Sequence, residues 1–169
     1  MKNIYLDMIY EDLLSNSSGY VDFNLLKDKL SNKNVKFHLA IMRQPFMNNI
    51  LNGSKTIESR FTKVKCAPYN RINNKDIIIF KESPGNIVAV ASIKNVDFYS
   101  ELDENDVIRL IQENSEALTA DDNFIELKKN SKYITFVHLD EIISIPSIKL
   151  IGKNDMRGWV ILNEKNTLF

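Results

Sequence analysis

The sequence predicts an α+β domain built on a small, curved or closed β-sheet, with flanking helices and an N-terminal helical arm. Many short apolar runs, rich in β-branched and aromatic residues, are separated by turn residues, as is typical of short strands. A few segments with helical spacing interrupt these runs. The 169 residues, 44% hydrophobic and 26% charged, suit one globular domain with an arm. We therefore expect an arm at residues 1–34 and a domain at residues 35–169.

Composition excludes several functional classes. The 22 Lys and Arg residues balance the 22 Asp and Glu residues, so the zero net charge argues against a protein that coats nucleic acid non-specifically. One cysteine, Cys66, cannot form an internal disulfide, and two histidines are too few for the common structural zinc sites. We expect no metal and no cofactor. Neither a membrane span nor a signal peptide is apparent, so we expect a cytoplasmic protein without a membrane partner.

The arm is predicted to contain two short helices. The first has apolar residues at helical spacing, which are Ile4, Met8, Ile9 and Leu13. The second begins after Asp22 and runs to Leu30. So few apolar residues cannot form a separate core, and we expect this arm to dock on the domain, on a partner or on a second copy in a homodimer.

The domain begins with a strand, a helix and a second strand. Phe37–Met42 is a mostly apolar run that predicts a buried strand. Pro45 suits the first position of a helix and Gly53 suits the residue after its end. The predicted buried face of that helix consists of Phe46, Ile50 and Leu51. Lys55–Phe61 is rich in strand-forming residues and predicts the second strand.

The rest of the domain alternates strands with two helices. The predicted strands are Ile77–Phe80, Ile87–Ile93, Tyr133–Leu139, Ile142–Ile145, Ile148–Ile151 and Trp159–Leu162. One helix is predicted to follow an N-cap at Asp103, and its buried residues would be Val107, Ile108 and Ile111. A second helix is predicted at Asn123–Lys129.

The densest polar cluster follows the glycine that ends the first domain helix. Strand alternation places Thr56, Glu58 and Arg60 on one face, and Lys55 can turn toward the same mouth. The two cations could bind a phosphate, a carboxylate or a nucleobase carbonyl, and Glu58 could accept from an amino group or act as a base. The alternative is a Glu58–Arg60 pair on a solvated strand, which would carry no function.

A second basic group lies near the C-terminus. Lys153 and Arg157 flank a turn before Trp159. This tryptophan could stack on a base, or it could fill the core, and we favour the core position. His38 and His138 both lie in apolar strands. We expect each to be a hydrogen-bonded core or sheet residue rather than a catalyst.

Three segments together resemble the ASCH (activating signal cointegrator homology) domain. They are Ile41-Met-Arg-Gln-Pro-Phe46, Ile50-Leu-Asn-Gly-Ser-Lys-Thr-Ile-Glu-Ser-Arg60 and Asp76-Ile-Ile-Ile-Phe80, and Met156-Arg-Gly-Trp159 is similar to a segment of some members. The family signature Gly-x-Lys-x-x-Glu-x-Arg matches at Gly53, Lys55, Glu58 and Arg60. The resemblance covers residues 36–162.

The resemblance implies a small PUA-like β-barrel with a cleft that binds RNA or a nucleotide-like ligand. The implied ligand-binding residues are Gln44, Lys55, Thr56, Glu58, Arg60, Lys153 and Arg157. Some small bacterial relatives hydrolyse the acetyl amide of N4-acetylcytidine, and Lys55 and Glu58 would be the catalytic residues if this chain is such a hydrolase. Those enzymes have threonine where this chain has Glu58. They also use a glutamate in a distal strand, and Glu141, which is near the corresponding region of this chain, falls at a predicted turn. A protein-interaction module that uses the arm is the third alternative.

The zero net charge conceals two oppositely charged segments. Residues 55–81 contain seven basic and two acidic residues, a net charge of +5. Residues 101–122 contain one basic and eight acidic residues, a net charge of −7. The basic segment coincides with the family signature, and we expect the acidic one to gate the cleft or repel non-cognate nucleic acid.

Overall fold

The structure is a computed structural model that describes residues 11, 32, 34–149 and 156–162. The predicted arm, apart from residues 11, 32 and 34, lies outside the described residues. So do Lys153 and residues 150 and 151 of the predicted strand at residues 148–151. The predictions that concern them therefore stay predictions.

Six strands form one curled sheet in the described part of the chain. They are β1 Phe37–Met42, β2 Ile57–Thr62, β3 Ile77–Glu82, β4 Ile87–Tyr99, β5 Tyr133–Ile148 and β6 Trp159–Ile161. Their order across the sheet is β2-β5-β4-β3-β1-β6, and β1 and β3 are parallel while the other neighbours are antiparallel. The sheet is a curled half-barrel, which confirms the predicted α+β class.

The two longest strands replace several predicted short ones. β5 joins the runs predicted at Tyr133–Leu139 and Ile142–Ile145 into one strand, because β4 pairs along it and continues to Tyr99. Three register shifts between β4 and β5 let this long ladder bend. Glu141 therefore lies within β5 and not at a turn, and its amide donates to the Ser92 hydroxyl at 3.1 Å.

Four helices are described. They are α1 Phe46–Leu51, α2 Glu104–Glu113, α3 Ser115–Leu118 and α4 Asp122–Lys128. The predicted cap of α2 is confirmed, because Asp103 and Asp106 each accept from the other's amide. α3 was not predicted, since four residues are too few to show a helical period.

The predicted start and buried face of α1 were wrong in part. Pro45 is the N-cap and not the first helical residue. The buried residues are Met47 and Ile50, while Leu51 is 39% exposed. Residues 47 and 50 share one face of the helix because they are three apart, and that face packs against the sheet.

Apolar residues cover both faces of the sheet. Alternate residues of β3 enter different clusters, with Ile77 and Ile79 in one and Ile78 and Phe80 in another. Burial on both faces explains why this strand reads as a continuous apolar run. A third cluster packs α2, α3 and α4 against β2 and β5. No helix in the described ranges is long and apolar enough to cross a membrane.

Candidate functional site

A cleft of about 960 Å³ opens where β2 meets α1, α4 and residues 156–158. The central lining residues are Gln44, Phe46, Lys55, Glu58, Arg60 and Arg157. Most of the predicted ligand-binding residues therefore come together. Thr56 is exposed outside the cleft. It precedes β2, and its amide donates to the Ala117 carbonyl at 2.9 Å, so strand alternation has not yet begun there.

Lys55 is turned into the floor of the cleft by the chain reversal after α1. Gly53 has a φ of 80°, a left-handed conformation that favours glycine, and the Lys55 amide donates to Asn49 O at 2.8 Å. The side chain is 2% exposed, and its Nζ donates to the Leu118 carbonyl at 3.1 Å.

Burial lowers the pKa of Lys55 below its ordinary value of 10.5. The Glu58 carboxylate opposes this shift, while the positive charge of Arg60 adds to it. The Lys55 Nζ atom lies 4.0 Å from Glu58 Oε2, and 5.3 Å from the centre of the Phe46 ring. The ammonium form is therefore disfavoured relative to a lysine in water.

Glu58 and Arg60 form a close ion pair on the cleft side of β2. Arg60 Nη2 donates to Glu58 Oε1 at 2.9 Å and to the Ile41 carbonyl at 3.2 Å. Glu58 is 3% exposed and Arg60 is 20% exposed. The pair that the sequence suggested is present, but the strand is not solvated at Glu58, because α1, α4 and residues 156–158 surround the cleft. Glu58 Oε2 lies beyond hydrogen-bond distance of Lys55, at 4.0 Å.

A buried hydrogen-bond chain holds the aromatic ring beneath Arg60. Trp159 Nε1 donates to His38 Nδ1 at 3.0 Å, and His38 Nε2 lies 3.2 Å from Asp76 Oδ2. Because an indole N–H can only donate, His38 Nδ1 must accept, and Nε2 then donates to the carboxylate. The Arg60 guanidinium lies 5.0 Å from the Trp159 ring centre. The structure thus confirms His38 and Trp159 as core residues.

Asp76 anchors the far end of this chain. Burial would raise the pKa of its carboxyl, but hydrogen bonds from the His38 ring and from the amides of Lys36 and Asn73 lower the pKa below its ordinary value. The carboxylate is therefore ionised when it accepts the hydrogen bond from His38 Nε2, and the orientation of the His38 ring is set from one side by Asp76 and from the other by Trp159.

Sequence reasoning missed the contribution of α4 and the turn before it. Lys128, at the end of α4, lines the cleft, and burial together with the positive charge of Arg60 lowers its pKa, against the attraction of Glu58. Asn123 and Phe124 also line it. No local pattern marks these residues, since α4 looks like an ordinary amphipathic helix in the sequence.

The lining of the cleft is strongly basic. Among the described lining residues, seven are basic and two are acidic; the basic ones are Arg43, Lys55, Arg60, Lys81, Lys128, Lys149 and Arg157. The acidic ones are Glu58 and Asp121. The acidic segment at residues 101–122 therefore contributes one carboxylate, Asp121, to the cleft. The described residues contain no group of three or more His, Cys, Asp and Glu side chains that could hold a metal ion.

His138 lies outside this cleft, on the sheet. Its Nε2 atom is 2.7 Å from Asp97 Oδ2, and both side chains are about one-third exposed. The predicted role of His138 as a hydrogen-bonded sheet residue is confirmed.

The comparisons with known proteins agree with this geometry. The family model of the ASCH domain matches residues 41–144, which include the signature from Gly53 to Arg60. The crystal structure of ASCH from Zymomonas mobilis is similar with a TM-score of 0.58 and 15% identity, over 76% of this chain and 89% of that chain. A comparison with curated proteins gives no match.

Two variants of the Zymomonas mobilis protein give similar values. A serine-to-alanine variant has a TM-score of 0.58 at 14% identity, and a tyrosine-to-phenylalanine variant has 0.57 at 16% identity. Each covers 76% of this chain, and 89% and 91% of the respective variant chains are covered. At these identities the likeness shows the fold alone, and it confirms the PUA-like curled sheet. The family model matches more than half of the sequence, and this match shows that the chain belongs to the ASCH domain family, which is PUA-like and generally associated with RNA.

Proposed function

We propose that the chain binds RNA or a nucleotide-like ligand in the cleft above Lys55, Glu58 and Arg60. The observation that carries this proposal is a buried carboxylate at the floor of a cleft whose described lining has seven basic and two acidic residues. Such a lining attracts a phosphate, while the single deep acceptor can read a base. The family's general association with RNA supports the same conclusion.

Glu58 and Arg60 would divide the recognition between them. One Glu58 oxygen accepts from Arg60, and the other lies 4.0 Å from Lys55 Nζ, so it keeps capacity to accept from an exocyclic amine. The cations at the rim, among them Arg43 and Lys128, would neutralise phosphate oxygens. A nucleobase therefore enters edge first, with its phosphate left at the rim.

Salt-dependent RNA binding tests this proposal. Fluorescence anisotropy with a labelled single-stranded RNA should show an affinity that falls steeply with salt, and Arg43→Ala or Lys128→Ala should each reduce the salt slope by about 1. Lys94→Ala is the matched control, because Lys94 is exposed on β4 and lines no part of the cleft. Absence of measurable binding to single-stranded RNA at low salt would contradict the proposal.

A hydrolase acting on a modified nucleoside is the second candidate, and the lowered pKa of Lys55 favours it. An amine that loses its proton more readily than usual, with its Nζ 4.0 Å from a carboxylate oxygen, could take and return a proton during attack on an amide. Hydrolysis of N4-acetylcytidine should then disappear in Lys55→Met, with circular dichroism as the control for folding. Activity that survives this substitution would remove Lys55 from the mechanism.

A further inference from the structure

A second cleft, of about 620 Å³, continues from the first on the other side of Arg60. The two clefts share five lining residues, which are Ser59, Arg60, Lys128, Arg157 and Gly158. The far wall of the second cleft is formed by the loop between β2 and β3, including Cys66 and Arg71. The two clefts therefore adjoin at these shared residues, and together we call them the channel, with the Glu58–Arg60 pair on one side and this loop on the other.

The first cleft is large enough to hold a whole nucleotide, so a nucleoside bound there would leave the second cleft empty. Ligand pockets of about 300 to 1,000 Å³ hold drug-sized molecules, and the first cleft alone reaches the upper part of this range. A base, its sugar and one phosphate would fit there. The second cleft is then additional space that only a longer ligand would fill.

The chemistry of the second cleft suits a continuing phosphate backbone. Among the described residues that line it, four are basic and none is acidic; the basic ones are Arg60, Arg71, Lys128 and Arg157. Phe61, which is half-buried, lines the same cleft and offers aromatic surface. Basic grooves with aromatic surfaces are the general means of holding single-stranded nucleic acid.

We infer that this second cleft is a subsite for the nucleotide next to the one held over Glu58, so that the ligand is a single-stranded oligoribonucleotide. This inference rests on the proposed RNA-binding function. A duplex would not suit the channel, because an unpaired base is needed to reach the buried carboxylate. Lys128 and Arg157, which line both clefts, would lie near the phosphate that joins the two nucleotides.

Cys66 gives a direct test, because it is the one cysteine of the chain and is exposed. Alkylation with N-ethylmaleimide adds bulk to the second cleft without adding charge. We expect it to lower the affinity for a cytidine tetranucleotide about tenfold while leaving cytidine monophosphate unaffected. Cys66→Ser, treated in the same way, is the control and should bind like the untreated protein.

A substitution at Arg71 separates charge from space. Arg71→Ala should weaken tetranucleotide binding several-fold and reduce its salt slope, without changing monophosphate binding. Lys75→Ala is the matched control, since Lys75 is exposed in the same loop and lines neither cleft.

The outcomes distinguish this inference from the function on which it rests. Tetranucleotide binding that responds to Arg43→Ala but not to Cys66 alkylation or Arg71→Ala would overturn the subsite and leave the proposed function standing. An acidic peptide that competes as well as RNA would also overturn the subsite, in favour of a protein partner. If neither the tetranucleotide nor the monophosphate binds the unmodified protein, the proposed function and the subsite both fail.

Discussion

Glu58 and Arg60 should behave as one energetic unit in a double-mutant cycle. The perturbations are Glu58→Gln, Arg60→Met and the two together. Arg60→Met removes the 2.9 Å bond between Nη2 and Glu58 Oε1 and leaves a carboxylate that is 3% exposed, with the Lys55 Nζ atom 4.0 Å from its other oxygen. Glu58→Gln keeps the shape of the side chain but leaves two cations without their shared counter-charge.

The structure sets the expected magnitudes. Breaking a buried ion pair from one side costs about 3 to 5 kcal/mol, and the 20% exposure of Arg60 places this pair at the lower end, about 3 kcal/mol. Glu58→Gln should cost about 2 kcal/mol, because its amide oxygen can still accept from Arg60. The double variant should cost about 3 kcal/mol, since no charge of the pair is left unpaired, which corresponds to a coupling of about 2 kcal/mol.

Urea denaturation followed by far-ultraviolet circular dichroism measures these free energies of unfolding. Arg109 and Glu113 provide the matched control, because they form an exposed pair, with 57% and 56% of their side chains accessible and 3.6 Å between the charged atoms. The coupling in the control cycle should be about 0.3 to 0.5 kcal/mol. A coupling between Glu58 and Arg60 no larger than this would refute the reasoning that burial strengthens the pair.

Three further predictions concern neighbouring residues. Because the folded pKa of Lys55 is lowered, the unfolded chain binds more protons between that pKa and 10.5, so the free energy of unfolding should gain a contribution that rises with pH across this window. Lys55→Met should remove that contribution, and urea denaturation at several pH values measures it; an unchanged pH profile would contradict the pKa assignment. In Gly158→Ala, the added Cβ would lie 3.1 Å from Arg60 Nη1. Because this contact would displace the guanidinium, Gly158→Ala should lower RNA affinity several-fold, at a cost of less than about 1 kcal/mol in the free energy of unfolding. Unaltered affinity in an anisotropy titration would argue against a role for Arg60 in binding. Trp159→Phe leaves His38 Nδ1 without its donor and should cost about 1 to 3 kcal/mol in thermal or urea unfolding, whereas no cost would mean that this bond contributes little.

Local patterns in the sequence were sufficient for most of the elements. The runs around β1 and β3 are mostly apolar, and Asp103 provides both the cap and the start of α2. Each of these features depends on residues a few positions apart, so the pattern is visible without a structure. The family signature likewise brought Lys55 and Glu58 to attention, because both lie within one turn and one short strand.

Errors arose where a neighbouring strand or helix decided the outcome. Asp140 and Glu141 look like turn residues, but β4 pairs beyond them and keeps β5 continuous. Leu51 looks like a core residue, but the sheet lies on the side of α1 that carries Met47. In each case the propensity of the residue was outweighed by pairing or packing with a distant segment.

The sequence by itself determined the fold class, the main elements and the signature that contains the buried cation, carboxylate and guanidinium. Only the tertiary structure decided that Glu58 is buried, that Lys128 joins the cleft from α4, and that a second cleft continues past Arg60. It also decided the chain from Trp159 through His38, whose hydrogen-bonded atoms belong to residues 121 positions apart. Burial, pKa and the continuity of a cleft depend on which distant segments cover a side chain, and a linear pattern of residue types does not contain that information.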